Sequence, residues 1–223
     1  TFTNCNLFCF THEFHNLENT EDVAITVKQG SKLTLDNTKI TSVCPDRLWY
    51  GIVVEGDRGI ITGATSTDPG PGHLIVKNNS IIELANVAIF SNLNGVINIT
   101  DSKFINCPIG LDLVNYDEVS LEWSIFPNLK PRAIINRNIF ETNNNFITPP
   151  TNHIRLFSVD KITLKGNKFI NSTNPEILTG NNRGIGIRAT NSSFNVIENR
   201  HLFGNPHASF TQQDKSIFDG LYY

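Results

Sequence analysis

The chain has 223 residues and a formal net charge of −3, from 18 Lys and Arg against 21 Asp and Glu. This length suits one large domain or two small ones, and the charge excludes the dense basic surface that nucleic-acid binding needs. No apolar run approaches the roughly 18 residues of a membrane-spanning helix, so we predict a chain that is not membrane-spanning. Asparagine is unusually common, with 29 copies, and it is a residue that closes tight turns and tolerates left-handed backbone.

A short apolar pattern recurs along the chain, with apolar residues at offsets 0, +2 and +7 and usually Asn, Asp or Gly at +4. Its six copies begin at Leu33, Leu74, Ile97, Ala133, Ile162 and Ile187. Short segments rich in Ile, Val, Leu and Phe between Asn and Gly are typical of strands rather than helices. A repeat of about 23 residues that is lengthened by variable loops predicts a solenoid.

Each repeat holds three short apolar segments. In the first clear copy they lie around Leu33, at residues 40–44 and at residues 51–54. Strands that pair in parallel one turn later cannot be joined by hairpins, and the handedness rule for such crossovers makes the coil right-handed. We therefore predict an all-β fold, a right-handed parallel β-helix with about 23 residues per rung, as a single domain over residues 1–223.

Loops are predicted where polar, Gly-rich or Pro-rich stretches interrupt the repeat. These loop excursions are residues 57–72, 114–131, 142–152 and 172–183, and an irregular tail follows at 200–223. The chain starts at Thr1, contains no Met, and its first residues have the pattern of the middle of a rung. We therefore expect it to be a fragment of a longer protein, without that protein's export signal.

Three of the four cysteines, Cys5, Cys44 and Cys107, lie shortly after an apolar anchor of different rungs, and the fourth is Cys9. Their spacing matches no zinc site, and no metal site is predicted from them. Two interpretations remain. The cysteines are buried free thiols inside the coil, or Cys44 forms a disulfide with Cys5 or Cys9, which would fit an oxidising compartment.

The runs GSKLTLDNTKITSVC (30–44) and LWYGIVVEG (48–56) resemble secreted right-handed β-helix proteins of the Bacteroidetes, as do GHLIVKNNSI (72–81) and RGIGIRATNSSFN (183–195). The resemblance covers roughly residues 30–200 and implies a secreted or cell-surface protein. Many such proteins end in a sorting domain for type IX secretion. The wider fold group looks like that of pectin lyases and polygalacturonases, and this likeness implies a carbohydrate-active enzyme, whose motifs we therefore looked for in the chain.

The polygalacturonase motifs are incomplete, because residues 98–101 (Asn-Ile-Thr-Asp) carry one residue too many and no Asp-Asp pair occurs. Pectate lyases use carboxylates to hold calcium and an Arg or Lys to remove the proton α to a carboxylate. Candidates for these roles are Asp112, Asp117, Glu118, Arg155 and Arg188. We predict no cofactor for this chain, and calcium would be needed only if the lyase interpretation is correct. The alternative is that all five are solvated surface charges.

Three aromatic residues, Trp49, Tyr50 and Trp123, are candidates for stacking on sugar rings; the alternative is that they pack in the core or in loops. The long faces of a solenoid suit extended partners. We therefore expect a non-enzymatic module, secreted or on the cell surface, with a structural or adhesive role and a polysaccharide or surface protein as partner. The alternative is a polysaccharide lyase or glycoside hydrolase that acts on acidic polysaccharide.

Overall fold

The computed structural model describes residues 1–9, 25–56, 70–117, 133–160, 162–173, 184–197 and 217–219. Within these ranges the chain forms strands and turns but no helix, and so no helix long and apolar enough to cross a membrane. The strands are β1 (Phe2–Thr3), β2 (Asn6–Cys9), β3 (Ile25–Val27), β4 (Lys32–Asp36), β5 (Lys39–Ser42), β6 (Ile52–Val54), β7 (His73–Lys77), β8 (Ile81–Glu83), β9 (Val87–Asn92), β10 (Val96–Thr100), β11 (Lys103–Ile105), β12 (Ile109–Asp117), β13 (Ala133–Asn136), β14 (Ile139–Thr142), β15 (Asn152–Asp160), β16 (Ile162–Lys165), β17 (Lys168–Asn171), β18 (Ile185–Thr190), β19 (Phe194–Ile197) and β20 (Ile217–Asp219).

The strands form three sheets, and each turn of the chain adds one strand to each sheet. The first sheet has the order β1-β4-β7-β10-β13-β16-β19, the second β2-β5-β8-β11-β14-β17-β20, and the third β3-β6-β9-β12-β15-β18. Neighbouring strands in all three sheets are parallel. The predicted right-handed parallel β-helix is thereby confirmed.

The 0 and +2 positions of the repeat form two apolar columns on the inner face of the first sheet. The register pairs Leu33 with Leu74, Leu74 with Ile97, and Ile97 with Ala133. One column further along, the residues in register are Leu35, Val76, Ile99, Ile135 and Leu164, all 0% exposed. Because side chains alternate between faces along a strand, this register keeps every anchor inside.

Small polar side chains line the inside of the corner between the first and second sheets. Asn138 Oδ1 accepts from Ser102 N at 3.1 Å, and Asn138 Nδ2 donates to Ile99 O at 2.9 Å. Asn167 repeats the arrangement one rung later: its Oδ1 accepts from Asn138 N at 3.0 Å and its Nδ2 donates to Ile135 O at 2.8 Å. Each buried amide therefore satisfies backbone groups that the corner removes from the sheets.

The third rung departs from the predicted offset. Ile81, at +7 from Leu74, is only half-buried, whereas Ile82 is 0% exposed and pairs in register with Ile40 and Phe104. The reason is an extra residue in the turn, where Asn78 and Asn79 both have positive φ, 55° and 62°. The core anchor of this rung therefore lies at +8.

The sixth copy of the pattern belongs to a different sheet. Ile187 and Ala189 lie in β18 of the third sheet, in register with Ile154 and Leu156. The next strand of the first sheet begins at Phe194, which pairs with Ile162. The prediction that Phe194 is the +7 residue of this copy is therefore wrong. The sequence pattern did not distinguish the two sheets, because strands of both have alternating apolar residues followed by a residue with left-handed backbone.

The predicted loop boundaries need three corrections. Residues 114–117 belong to β12 and not to the excursion predicted at 114–131, and residues 118–132 lie outside the described part. Thr142 and Asn152 belong to β14 and β15, which leaves 143–151 as the connection. The tail contains β20 (Ile217–Asp219), which pairs with β17. Residues 57–69, 174–183 and the rest of the tail beyond 197 are also outside the described ranges.

Three phenylalanines stack inside the second sheet, one from each of β11, β14 and β17. The ring centroids of Phe104 and Phe140 are 4.7 Å apart, and those of Phe140 and Phe169 are 5.2 Å apart. His153 of β15 lies across the core, 6.3 Å from Phe140 and 6.1 Å from Phe169, and is 2% exposed. Burial without a charged partner lowers the pKa of His153 to about 4.

The four cysteines are free thiols. The predicted disulfide from Cys44 to Cys5 or Cys9 is not formed, because other residues lie opposite these cysteines. Cys9 pairs in register with Ser42, and Cys5 Sγ contacts Thr38 Oγ1 at 3.8 Å. Cys107 is buried, which raises the pKa of its thiol to about 12. The structure therefore agrees with the interpretation of free thiols, of which one is buried and three are half-buried.

Candidate functional site

Three of the five predicted catalytic candidates meet on the outer face of the third sheet. Asp112 of β12 is in register with Arg155 of β15, and Arg155 is in register with Arg188 of β18. Phe90 of β9 precedes Asp112 in the same column. Parallel strands lie about 4.8 Å apart, so the stacking of rungs brings these residues together although they are distant in sequence.

Asp112 and Arg155 form a two-point ion pair. Arg155 Nε donates to Asp112 Oδ1 at 2.8 Å, and Arg155 Nη2 donates to Asp112 Oδ2. The Asp112 side chain is 1% exposed and that of Arg155 is 43% exposed. A buried carboxylate needs such a partner, and the paired geometry fixes the plane of the guanidinium at the surface.

This pairing determines what the two groups can do chemically. The hydrogen bond and the negative charge of Asp112 raise the pKa of Arg155, against the opposing effect of partial burial. Arg155 therefore remains protonated and cannot accept a proton from a substrate. Both oxygens of Asp112 already accept hydrogen bonds from Arg155, so Asp112 is not an available general base while the pair is formed.

Arg188 and Phe157 extend this surface. Arg188 is exposed, and no ion-pair partner for it occurs in the described part of the chain. Phe157 lies two residues beyond Arg155 on the same side of β15, is 45% exposed, and is in register with Thr190. We call these residues, Arg155, Phe157, Arg188 and Thr190, the arginine face. It combines one fixed cation, one exposed cation and an exposed aromatic ring.

For the other two catalytic candidates, Asp117 and Glu118, the structure describes no side-chain contact. The backbone of Asp117 is in register with Asp160 at the end of the third sheet, and Glu118 lies outside the described residues. Among the described residues, no group of three or more His, Cys, Asp or Glu side chains could hold a metal ion. The calcium that the lyase alternative needs therefore has no ligand set of this kind in the described part of the chain.

Of the three aromatic candidates, Trp49 is in the core. It is 1% exposed, and its Nε1 donates to Glu83 O at 2.9 Å. The prediction that Trp49 stacks on a sugar ring is therefore wrong, because a buried ring has no free face, and the alternative of core packing holds. Tyr50 is 38% exposed and remains a candidate. Trp123 lies outside the described residues.

A groove at the C-terminal ends of strands β5, β8, β11 and β14 of the second sheet was not predicted. It has a volume of about 810 Å³ and is lined by residues around Ser42, Glu83, Asn106 and Phe146. Sequence spacing contained a signal for it, because the connections after β5 and β14 (43–51 and 143–151) are long while those after β8 and β11 (84–86 and 106–108) are short. The lengths of these four connections can be compared only when it is known where each strand of the second sheet ends and where the next strand begins.

Comparisons with known proteins give no family. No protein-family model matches this chain, and no curated protein and no solved structure matches it significantly. The geometry of the described residues is therefore the basis for any statement on function.

Proposed function

We propose that this protein is a β-helix module with a structural or adhesive role that binds an extended glycan without turning it over, and that the arginine face binds acidic groups of that glycan. The observation that carries the proposal is the Asp112–Arg155 ion pair with Arg188 in the next strand. It presents guanidinium groups at the repeat distance of the sheet, beside an exposed phenylalanine.

The chemistry of the face favours binding over catalysis. A planar guanidinium that is held at its back by Asp112 keeps its outer N–H groups for a second anion, such as a carboxylate or sulfate. Phe157 offers an apolar surface for the carbon-bound hydrogens of a sugar ring. A lyase needs a group that accepts a proton at this place, and the protonated Arg155 does not provide one.

The overall negative charge does not oppose this proposal. Interactions between charges separated by more than a Debye length, about 8 Å at physiological salt, are largely screened. The local balance on the face is one buried carboxylate against two guanidinium groups, so an anionic chain meets a positive surface there.

The test measures binding and turnover together. The purified chain is titrated with polygalacturonate and alginate oligosaccharides by calorimetry, and the same mixtures are followed for unsaturated products and new reducing ends. We expect binding without product. The variant Arg188→Ala is expected to bind about tenfold more weakly, because a hydrogen bond to a charged group contributes about 1.5 kcal/mol, and added NaCl is expected to weaken the wild type.

Lys32→Ala is the matched control, since Lys32 is an exposed cation on the first sheet. It is expected to bind like the wild type. Product formation from either polymer, or equal affinity of the Arg188→Ala variant and the wild type, would contradict the proposal. Arg155→Ala is a poorer variant because it leaves Asp112 buried without its partner, which also costs folding stability.

Location outside the cell is part of the proposal. Its support is the resemblance of residues 30–200 to secreted β-helix proteins. Intact cells that produce the natural full-length protein are treated with a membrane-impermeant, amine-reactive ester, which reacts with exposed lysines such as Lys32. We expect the protein to be labelled on intact cells, and labelling only after cell lysis would contradict surface display.

A further inference from the structure

We infer that the groove at the C-terminal ends of β5, β8, β11 and β14 is a second binding site, which takes a linear, uncharged glycan chain. The groove follows from the lengths of four consecutive connections. Those after β5 and β14 project as walls, and the three-residue turns after β8 and β11 lie between them as the floor. With adjacent parallel strands about 4.8 Å apart, walls three strands apart stand about 14 Å from each other, which leaves room for a sugar chain.

The first wall is anchored from below by Trp49. Its backbone N donates to Leu84 O at 3.0 Å, and its Nε1 donates to Glu83 O at 2.9 Å. Trp49 also forms a parallel bridge with Ala85. The buried indole therefore ties the wall at 43–48 to the floor turn after β8, and the wall is fixed before any ligand binds.

The second wall is fixed by a pair of asparagines. Asn106 Nδ2 donates to Asn143 Oδ1 at 2.8 Å, while Asn143 N donates to Asn106 Oδ1 at 2.9 Å. Asn143 Oδ1 also accepts from Asn145 N at 3.0 Å, which closes a tight turn of the wall. The loop that carries Phe146 is thus tied to the floor turn after β11. Rigid walls reduce the entropy that binding would otherwise cost.

The lining has the composition of a site for neutral sugars. Carboxylates and amides, from Asp46, Glu83 and Asn145, accept and donate hydrogen bonds, and Phe146 and Val43 provide apolar surface. The described lining contains no Lys or Arg, so a polyanion would meet the carboxylate of Asp46 without a lining cation to bind it. Lys39 Nζ lies 2.7 Å from Glu83 Oε2 and holds that carboxylate in place. Hydroxyl-rich, uncharged chains suit this combination of polar groups and one ring.

The inference is independent of the arginine face, since no residue is shared between the two surfaces. The probes are a panel of neutral hexasaccharides, namely cellohexaose, xylohexaose, mannohexaose and laminarihexaose, with hexagalacturonate as the charged comparison. We expect at least one neutral hexasaccharide to bind in calorimetry and expect its affinity to be insensitive to NaCl. Phe146→Ala is expected to weaken it about tenfold or more.

Two further variants make the test specific. Phe157→Ala removes an exposed phenylalanine from the arginine face and is expected to leave the neutral ligand unaffected. Asp46→Asn changes an exposed lining carboxylate without disturbing the core, and is expected to weaken the neutral ligand about threefold or more even if Phe146→Ala impairs folding.

The outcomes separate the two surfaces. Binding of a neutral hexasaccharide that depends on Phe146 or Asp46 supports the groove, whatever the acidic polymers do. Absence of binding by the whole neutral panel overturns the inference on the groove, and so does binding that Phe157→Ala or Arg188→Ala abolishes. Binding of hexagalacturonate that depends only on Arg188 supports the arginine face alone.

Discussion

At the scale of single residues, some corners of this β-helix use non-glycine residues with positive φ, and contacts between their side chains offset part of the cost of that backbone conformation. Arg137 occupies a left-handed corner position with φ 55°, which is uncommon for a long side chain. Its guanidinium forms a two-point ion pair with Asp101 of the rung before, with distances of 2.6 and 2.5 Å. Asp101 itself has φ 52°. We interpret the pair as a contact between equivalent corners that offsets part of the cost of the strained backbone.

His153 makes stability depend on pH. Its pKa is about 4 in the folded state because of burial, against about 6.5 in the unfolded chain. The unfolded state therefore takes up the proton first as the pH falls below 6.5, and stability decreases until the pH approaches 4. We expect this residue alone to lower the free energy of unfolding by about 2 kcal/mol between pH 7 and pH 5, measured by urea denaturation at both values.

The variant His153→Leu tests the assignment. It is expected to lose about 2 kcal/mol less than the wild type over the same pH interval, because no proton can be taken up at this position. His73→Gln is the control at a more exposed histidine, and it should retain most of the pH dependence of the wild type. Equal pH dependence of His153→Leu and the wild type would refute the assignment.

At the scale of elements, the turn after β7 carries a removable residue. It has two residues with positive φ, Asn78 and Asn79, where the corresponding turns after β4 and β10 have one. Deletion of Asn79 would give Ile82 the same offset from β7 that Ile40 has from β4. We therefore expect the deletion to be tolerated, with a melting temperature within about 5 °C of the wild type, since small changes of about 1 kcal/mol correspond to a few degrees.

Deletion of Ile75, inside β7, is the contrasting change. Side chains alternate with a period of two, so the loss of one strand residue moves part of β7 to the opposite face. Either Leu74 or Val76, both 0% exposed, would then leave the core. We expect this variant to melt at least 10 °C below the wild type or to fail to fold. Circular dichroism melts of both deletions check the pair, and similar melting temperatures would contradict the account of the turn.

At the scale of the whole molecule, stability comes from contacts between neighbouring rungs. Each strand from β10 to β15 has a paired strand on both sides, whereas β1, β2 and β3 each have a paired strand on one side among the described residues. The side chains of Phe2 and Phe8 are 41% and 61% exposed. We expect native-state hydrogen exchange to be slowest for amides of β10 to β15 and at least about 100-fold faster in β1 and β2. Uniform protection along the chain would show that the solenoid opens only as one unit.

The sequence allowed most of the fold to be predicted but little of the site. The apolar columns through Leu35 and Val76 were visible because each rung repeats the same alternation locally. The offset of Ile82 was missed because one extra turn residue is invisible when copies are aligned by a fixed spacing. Phe194 was assigned to the wrong strand because corners after the first and third sheets use the same residue types, and only strand pairing distinguishes them.

The candidate site needed three-dimensional register. Asp112, Arg155 and Arg188 were named from residue type, as the carboxylate and arginine that a lyase would need, but sequence could not show that Asp112 is buried and bound to Arg155. The role of Trp49 was likewise open until its indole N–H was found to donate to Glu83 O. Contacts between residues about 40 positions apart depend on the loop lengths that intervene, and these vary from rung to rung.

By itself the sequence determined that the chain coils, because a period-two apolar pattern that recurs with turn residues leaves no other way to bury each rung. Only the tertiary structure decided which side chains meet across rungs, which buried carboxylate forms an ion pair with an arginine, and where two long connections enclose a groove. The physical reason is that burial of apolar residues is a local property of each strand, whereas ion pairs and grooves arise from the vertical alignment of separate rungs.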